Sequence, residues 1–494
     1  MKYAFAIRLF AIGSLAACAH QQIDVEPQVA LPDQFSHTAA AQGSAEIAQW
    51  WRAWPDPLLG QLVEQGLAAN RDLAATRAKL TAARATAATA RADLGPQAAI
   101  MGSVGAHNVQ LDNPLGSDMR QSLAALNTPL SEDSQRLSGH NSRLGFSASW
   151  EPDIFGAKRS DADAANYAAL GEAEKWHGAQ MLLATDIADH YLQVRALQQR
   201  IRSGQNSIAT LQQLHRYSQG RFNAGQASDY DVRDIAAKVS ALQAQQATLQ
   251  AQADAHTRIL AVLTGQTPQN FTLPAAGTDV LANLPAAPSG QQPVQVLERR
   301  PDVRANRAAV QAYSAKLASA RADLLPRFDI QFVWQTGRIR LDSDLPAMKG
   351  LGGLVSAGVT LPIFTAGRIQ RNIDAADARL SAALAQYDHS ILNALAEVDS
   401  SYQLQYSLHR QNRWLADAAA QAQQQATGAD KLFRYGHLTL DRSLSARLNA
   451  EDLAERQIQG RLAEAQNLLN IYKALGGGWD GQDAEPAFRQ PVKD

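Results

Sequence analysis

The sequence predicts an α+β chain in which one structural unit is written twice, and three observations predict it. Ala90 to Pro96 reads ARADLGP and Ala320 to Pro326 reads ARADLLP, 230 positions further on. After each proline the apolar period changes from helical to two-residue, the period of a strand. Each strand pair is followed by a very long stretch without proline, from Pro152 to Pro268 and from Pro362 to Pro486.

The chain begins MKYAFAIRLFAIGSLAACAH. Basic Lys2 and Arg8, an apolar run to Leu15 and small residues before Cys18 have the layout of a secretory signal, and the run is too short to span a membrane as a helix. Cys18 is the single cysteine. An ordinary signal cleaved near Ala17 would leave it as a free thiol. Alternatively, Leu15-Ala16-Ala17-Cys18 resembles the bacterial lipobox, whose cysteine becomes the lipidated first residue; a thiol that cannot pair within its chain then has a use. No other apolar stretch approaches the roughly 20 residues of a spanning helix, so any crossing is by strands.

Residues 70–96 align with 300–326 without a gap, 13 of 27 positions being identical. Among them are Asp72/Asp302, Arg77/Arg307, Ala85/Ala315 and Pro96/Pro326. Asp, Arg and Pro kept in step argue duplication rather than shared alanine content. Each segment reads as a helix ended by its proline.

The strands come next. Leu144, Phe146, Ala148 and Trp150 alternate with small and polar residues, as do Phe328, Ile330, Phe332 and Trp334. Weaker alternation marks Ala98 to Ala106 and Val355 to Leu361. The connection from about Val109 to Asn141 is long and polar, and that from Gly337 to Gly350 is shorter. A soluble sheet on a helix layer produces such alternation; so does a membrane barrel with aromatic residues near its interfaces. Four strands cannot close a barrel, since the smallest have about eight. Three chains would bring twelve.

Then come the helices. Ile235, Val239, Leu242, Leu249, Ala253, Leu260 and Leu263 form a stripe of coiled-coil type, with polar exceptions at Gln246 and His256. An arm from about Lys158 to Tyr217 would be about 90 Å long at 1.5 Å per residue. Each proline-free stretch is broken near its middle, by RFNAGQASD at 221–229 and LFRYGHLTLD at 432–441. Gly225 and Gly436 suit a helix end needing positive φ, and Ser228 and Thr439 are placed to cap the returning helix. These read as hairpin tips.

The net charge of −1 with 19% charged residues gives no electrostatic case for a nucleic-acid partner. The sequence has no phosphate loop, zinc helix or paired cysteines, so neither an enzyme nor a cofactor or metal site is expected. His190, His215 and His256 read as surface or packing residues.

With these motifs in order, the sequence resembles the TolC family of bacterial outer-membrane efflux channels, particularly the lipidated members that serve resistance-nodulation-division pumps. The resemblance is carried by Trp50-Trp51 with Asp56-Pro57-Leu58, the repeated heptapeptide, ASWEPDIFG at 148–156, LERRPDVRA at 297–305, LPIFTAGR at 361–368 and ALGGGW at 474–479. It implies a homotrimer whose four strands per chain make a twelve-stranded outer-membrane β-barrel, continued by a periplasmic α-helical barrel. It also implies a periplasmic adaptor and an inner-membrane pump as partners, outer-membrane lipid around the strands and on Cys18, and a passive exit for small molecules such as drugs, toxic organic compounds or metal ions. The expected division is a signal peptide at 1–17, a lipidated segment at 18–54, a first repeat at 55–268 with its strand pair at about 97–153, and a linker at 269–296. A second repeat at 297–480, with its strand pair at about 327–364, precedes a tail at 481–494.

The resemblance assigns adaptor docking to the tips, at Arg221, Gly225, Ser228 and Asp229 and at Tyr435, Gly436 and Thr439. Where the family commonly carries Leu-Asp-Ala-Gln, this chain has Leu444-Ser445-Ala446-Arg447, so Ser445 replaces the acid that narrows the pore. Asp441 and Arg442 nearby offer an inter-chain ion-pair ring, making Asp441, Arg442 and Ser445 the candidate gate. A TolC-like channel for type I protein secretion and a lipid-anchored periplasmic coiled coil are the alternatives.

Overall fold

The computed structural model describes residues 29–38, 41–125, 134–275, 277–341 and 347–479. The signal, Cys18 and the tail from 481 lie outside them. In chain order the elements are β1 (Ala41–Gly43), a 3-10 turn (Trp50–Ala53), α1 (Pro57–Ala69), α2 (Arg71–Ala92), β2 (Gln97–Asp112), α3 (Ser117–Ala124), β3 (Ser134–Trp150), α4 (Ala157–Asn223), α5 (Asp229–Gln246) and α6 (Leu249–Leu263). They continue with β4 (Ala287–Pro288), α7 (Pro293–Arg299), α8 (Pro301–Ala322), β5 (Arg327–Leu341), β6 (Met348–Thr360), α9 (Arg368–Arg434) and α10 (Leu440–Ala474).

The duplication is kept to the residue. Arg71 and Pro301, Ala92 and Ala322, and Gln97 and Arg327 are each 230 positions apart. Ala157 and Arg368, Asn223 and Arg434, Asp229 and Leu440, and Leu263 and Ala474 are each 211 apart. The difference, 230 − 211 = 19 residues, falls in the connection between the paired strands. α4 and α9 are both 67 residues long.

The chain forms two compact units. One, of residues 84–167 and 311–381, holds an antiparallel sheet in the order β2-β3-β5-β6. Its strands exceed the alternating stretches: β2 runs to Asp112, β3 starts at Ser134, and α3 occupies part of what the sequence marks as a polar connection. Ladder hydrogen bonds carry the strands past the point where apolar alternation stops, because pairing needs only backbone. Register places Ile100 beside Phe146, Phe146 beside Trp334 and Phe332 beside Val355 on one face. The other face carries Gln97, Ser103, Arg143, Ser147, Gln331, Gln335 and Ser356. The apolar face is open in the single chain, with Val104 88% and Val355 70% exposed, and among the described residues no strand neighbours the outer edges of β2 and β6. The Trp150 indole donates to the Leu94 carbonyl at 3.0 Å, fixing the end of β3 to the turn after α2.

The other unit comprises the described residues of 29–83, 168–310 and 382–479. Its core gathers Trp50, Trp51, Trp54, Leu59, Ile187, Tyr191, Leu260, Tyr402, Leu468 and Tyr472, all buried. Trp50 stacks on Tyr472 at 5.0 Å, and Trp479 stacks on His177 at 4.3 Å. Asp56 caps α1 by accepting from the Leu58 amide at 3.0 Å, and the Tyr191 hydroxyl donates to the same carboxylate. Burial, reinforced by that carboxylate, pushes the Tyr191 phenol up. Burial likewise raises Tyr472, to about 12. β1 pairs with β4 in parallel, and Tyr402 donates to the Pro288 carbonyl at 2.6 Å, so the linker is tied to the helical core. His190 and His256 pack together with their Nδ1 atoms 2.8 Å apart, one ring donating and the other accepting.

The apolar stripe of the first returning arm is interrupted between Gln246 and Leu249. Ile235, Leu249, Ala253 and Leu260 are buried along it; Val239 and Leu242 are only half-buried.

Candidate functional site

Both hairpin tips lie in the helical unit, and the same backbone device builds each. In the first, the Gly225 amide donates to the Phe222 carbonyl at 2.9 Å and the Gln226 amide to the Arg221 carbonyl at 2.8 Å. In the second, Gly436 donates to Phe433 and His437 to Leu432, both at 2.9 Å. These are paired Schellman bonds, which require a left-handed residue after the helix; Gly225 has φ +70 and Gly436 φ +76.

The returning helices start differently. Ser228 forms a full capping box with Asp231: the Asp231 amide donates to Ser228 Oγ at 3.2 Å and the Ser228 amide to the Asp231 carboxylate at 3.1 Å. Hydrogen bonds from the Ser228 hydroxyl and then its amide hold the Asp231 carboxyl below its ordinary value. Thr439 occupies the corresponding cap position of α10 but makes no side-chain cap bond. The expectation that it caps is corrected here: the Thr439 hydroxyl takes no amide of the first turn, and the residue three positions on, Arg442, has no carboxylate to accept from the Thr439 amide and complete a capping box. Arg221 donates to the Gln226 carbonyl at 3.0 Å across the first tip, and Asp229 pairs with Arg233 at 2.5 Å.

Tyr230 and Tyr435 are each 77% exposed, and Phe222, Leu432 and Phe433 are also exposed. Of these five, sequence reasoning singled out Tyr435 alone. The signal that finds the rings is the 211-residue offset, which aligns Phe222 with Phe433 at the last turn of each outgoing helix.

Behind the tips the two hairpins lock together. Leu214, Ile235 and Leu444 form one buried cluster, with Tyr217, Leu440 and Leu448 against it. Thr210 and Arg447 both donate to Glu451 at 3.2 Å, and Arg200 donates to Glu455 at 2.5 Å. The candidate gate residues sit at this level. Ser445 is exposed and its hydroxyl donates to its own helix, at the Asp441 carbonyl, 2.7 Å away. Asp441 Oδ1 is buried with no hydrogen-bond partner among the described residues, whereas the Arg442 side chain is exposed. Within one chain Asp441 and Arg442 are not brought together.

Among the described residues no group of three or more His, Cys, Asp or Glu is arranged to hold a metal ion, and no helix is long and apolar enough to cross a membrane.

The family described as outer membrane efflux protein matches residues 62–266 and 293–477. The chain is similar to the pyoverdine export outer membrane protein OpmQ of Pseudomonas aeruginosa, 28% identical over 94% of this chain and 95% of that one. It is 27% identical to the toluene efflux pump outer membrane protein TtgC of Pseudomonas putida, over 97% of this chain and 96% of the relative. Among solved structures, the outer-membrane channel OprN superposes with a TM-score of 0.78 at 25% identity, covering 92% of this chain and 99% of OprN.

Proposed function

From the premise that this chain belongs to the outer membrane efflux protein family, we propose that three copies form the outer-membrane exit duct of a tripartite pump. The observation that carries the reading is the sheet. Four strands with one apolar face and two unpaired edges make neither a closed barrel nor a covered layer, and twelve strands satisfy both edges and turn the apolar face to lipid. A lipid-anchored coiled coil without a pore leaves that sheet without a purpose.

The duct binds no cofactor and makes no bonds. Cys18 carries the lipid anchor in this reading. The paired tips, with Arg221, Gly225, Ser228 and Asp229 on one hairpin and Tyr435, Gly436 and Thr439 on the other, are the surface that meets a periplasmic adaptor. Exposed rings on rigid Schellman turns suit that task, because large side chains held by a fixed backbone lose little freedom on binding.

Asp441, Arg442 and Ser445 form the constriction behind the tips. With Ser445 in place of an acid, closure rests on Asp441 meeting Arg442 of the next copy. The cargo is a small molecule handed over by the pump; relatives named for pyoverdine and for toluene make small organic compounds the first class to try.

The test is a photo-crosslinking amino acid placed at Tyr435, at Tyr230 and, as a control, at Ile363 in the sheet unit, in cells that carry the pump. Adducts with a periplasmic adaptor from both tips and none from Ile363 are expected. Adducts only with other copies of this chain, or with a secreted protein in transit, would overturn the docking assignment.

A further inference from the structure

The duplicated unit supplies the geometry of a contact that one chain cannot make. Within the chain, the seam between the two repeats is the β3–β5 ladder, in which Leu144 faces Thr336, Phe146 faces Trp334, Ala148 faces Phe332 and Trp150 faces Ile330. The strand pair inside each repeat has one register. Gln97 faces Ser149 in the first and Arg327 faces Thr360 in the second, so β2 maps onto β5 with an offset of 230 and β3 maps onto β6 with an offset of 211. The turns that follow agree: Gly156 and Gly367, also 211 apart, have φ +80 and +79.

We propose that β6 of one copy pairs antiparallel with β2 of the next in the register obtained by carrying the β3–β5 seam through these offsets. Ala357 then faces Val104, Val359 faces Gly102 and Val355 faces Ala106. The inference deepens the trimer reading and rests on it.

A second property of the strands, used nowhere in that derivation, agrees with it. The apolar face of the sheet is carried by even-numbered residues on β2, β3 and β5 and by odd-numbered residues on β6. The register joins odd on β6 to even on β2, so the apolar surface continues across the seam. A slip of one residue would set Val104 beside Ser356 or Gly358 and turn polar groups toward lipid. A slip of two keeps the faces and is excluded only by the repeat, so that is the alternative the test must separate. Val104 and Ala357 sit on opposite edges of the four-stranded sheet, three strand spacings apart, and the ladders put Lys349, not Ala357, opposite Val104. They are therefore separated by more than about 14 Å, beyond the reach of a disulfide within one chain.

The experiment uses the full-length chain in outer-membrane vesicles. Val104→Cys is combined with Ala357→Cys for the proposed register, and with Val355→Cys or Val359→Cys for the two slips. Cys18 is common to all, and the unsubstituted chain is the control. Mild oxidation is expected to convert the 104/357 variant into covalent dimers and trimers that reductant dissolves, and to leave the slipped pairs mostly as single chains. Light scattering of each reduced variant in detergent reports whether the trimer itself is intact. A slipped pair that links better than 104/357 in an intact trimer overturns the register and leaves the duct reading standing. Silence from all three pairs in an intact trimer overturns the pairing of β6 with β2. Single-chain particles throughout overturn the trimer and the register together.

Discussion

The two repeats have the same skeleton and different chemistry at its stress points. Their outgoing helices are equally long, their tips close with the same Schellman bonds, and Asp229–Leu263 matches α10 in extent. Yet α10 is continuous where its counterpart is divided into α5 and α6. The position of one glycine in each hairpin shows how each accommodates close packing. In the first, Gly204 on the outgoing helix leaves room for the Gln246 side chain, next to the interruption. In the second, the glycine is on the returning helix: Gly460 receives Leu415 and Asn412, the latter donating to the Gly460 carbonyl at 2.9 Å. Duplication preserves lengths and turn geometry, because each must match its neighbour, and frees side chains wherever the partner side chain can change with them.

The sharpest break in this symmetry is at Gly460. A Cβ there would lie 2.2 Å from Asn412 Oδ1 and 3.0 Å from a Leu415 methyl, and Asn412 is buried. Gly460→Val is expected to destabilise the hairpin by about 1–3 kcal/mol through overpacking, read as a fall in the unfolding temperature of the detergent-solubilised protein. Gly204→Ala should cost less than Gly460→Ala. The atoms it meets belong to the free end of half-buried Gln246, which can swing away. Equal losses from the two alanine variants would refute this account of the glycines.

The helix starts give the next contrast. The Asp153 carboxylate accepts from the Lys158 and Arg159 amides at 3.1 and 2.7 Å, and the position 211 residues on is Phe364, which is exposed. Asp153→Ala should therefore loosen the first turn of α4 by about 1 kcal/mol, seen as faster amide exchange there, while Phe364→Ala leaves the first turn of α9 unchanged.

At the tips, Ser228→Ala should cost about 1 kcal/mol of local helix stability and Thr439→Ala close to nothing, since only Ser228 makes cap bonds. Exchange rates in α5 and α10 decide between them. The smallest effect is pH. Asp231 has a folded value below its unfolded one, so its stabilising contribution is present above the ordinary carboxyl range and is lost as pH falls through the depressed folded value. Protection of the first turn of α5 should fall on acidification, with no matching loss at α10, where Arg442 takes the place of the acid.

Much of this was legible in the sequence. The repeated heptapeptide, the two-residue alternation and Gly225 and Gly436 mark helix, strand and tip because each answers a local backbone demand. The lengths of β2 and β3 were not legible, since backbone pairing continues through Asn108 and Ser138 where no apolar side chain signals it. Thr439 misled because a cap position is visible in sequence, whereas whether the hydroxyl turns to the free backbone amides is not. The inter-hairpin bonds of Glu451 and Glu455 join residues more than 200 positions apart and leave no periodic trace.

The central claim is that one chain is a third of a membrane duct, and the mass of the detergent-extracted particle tests it most directly. Light scattering should give three chains, with the protein precipitating when detergent is removed, as the open apolar face requires. A water-soluble particle of one or two chains would contradict the duct.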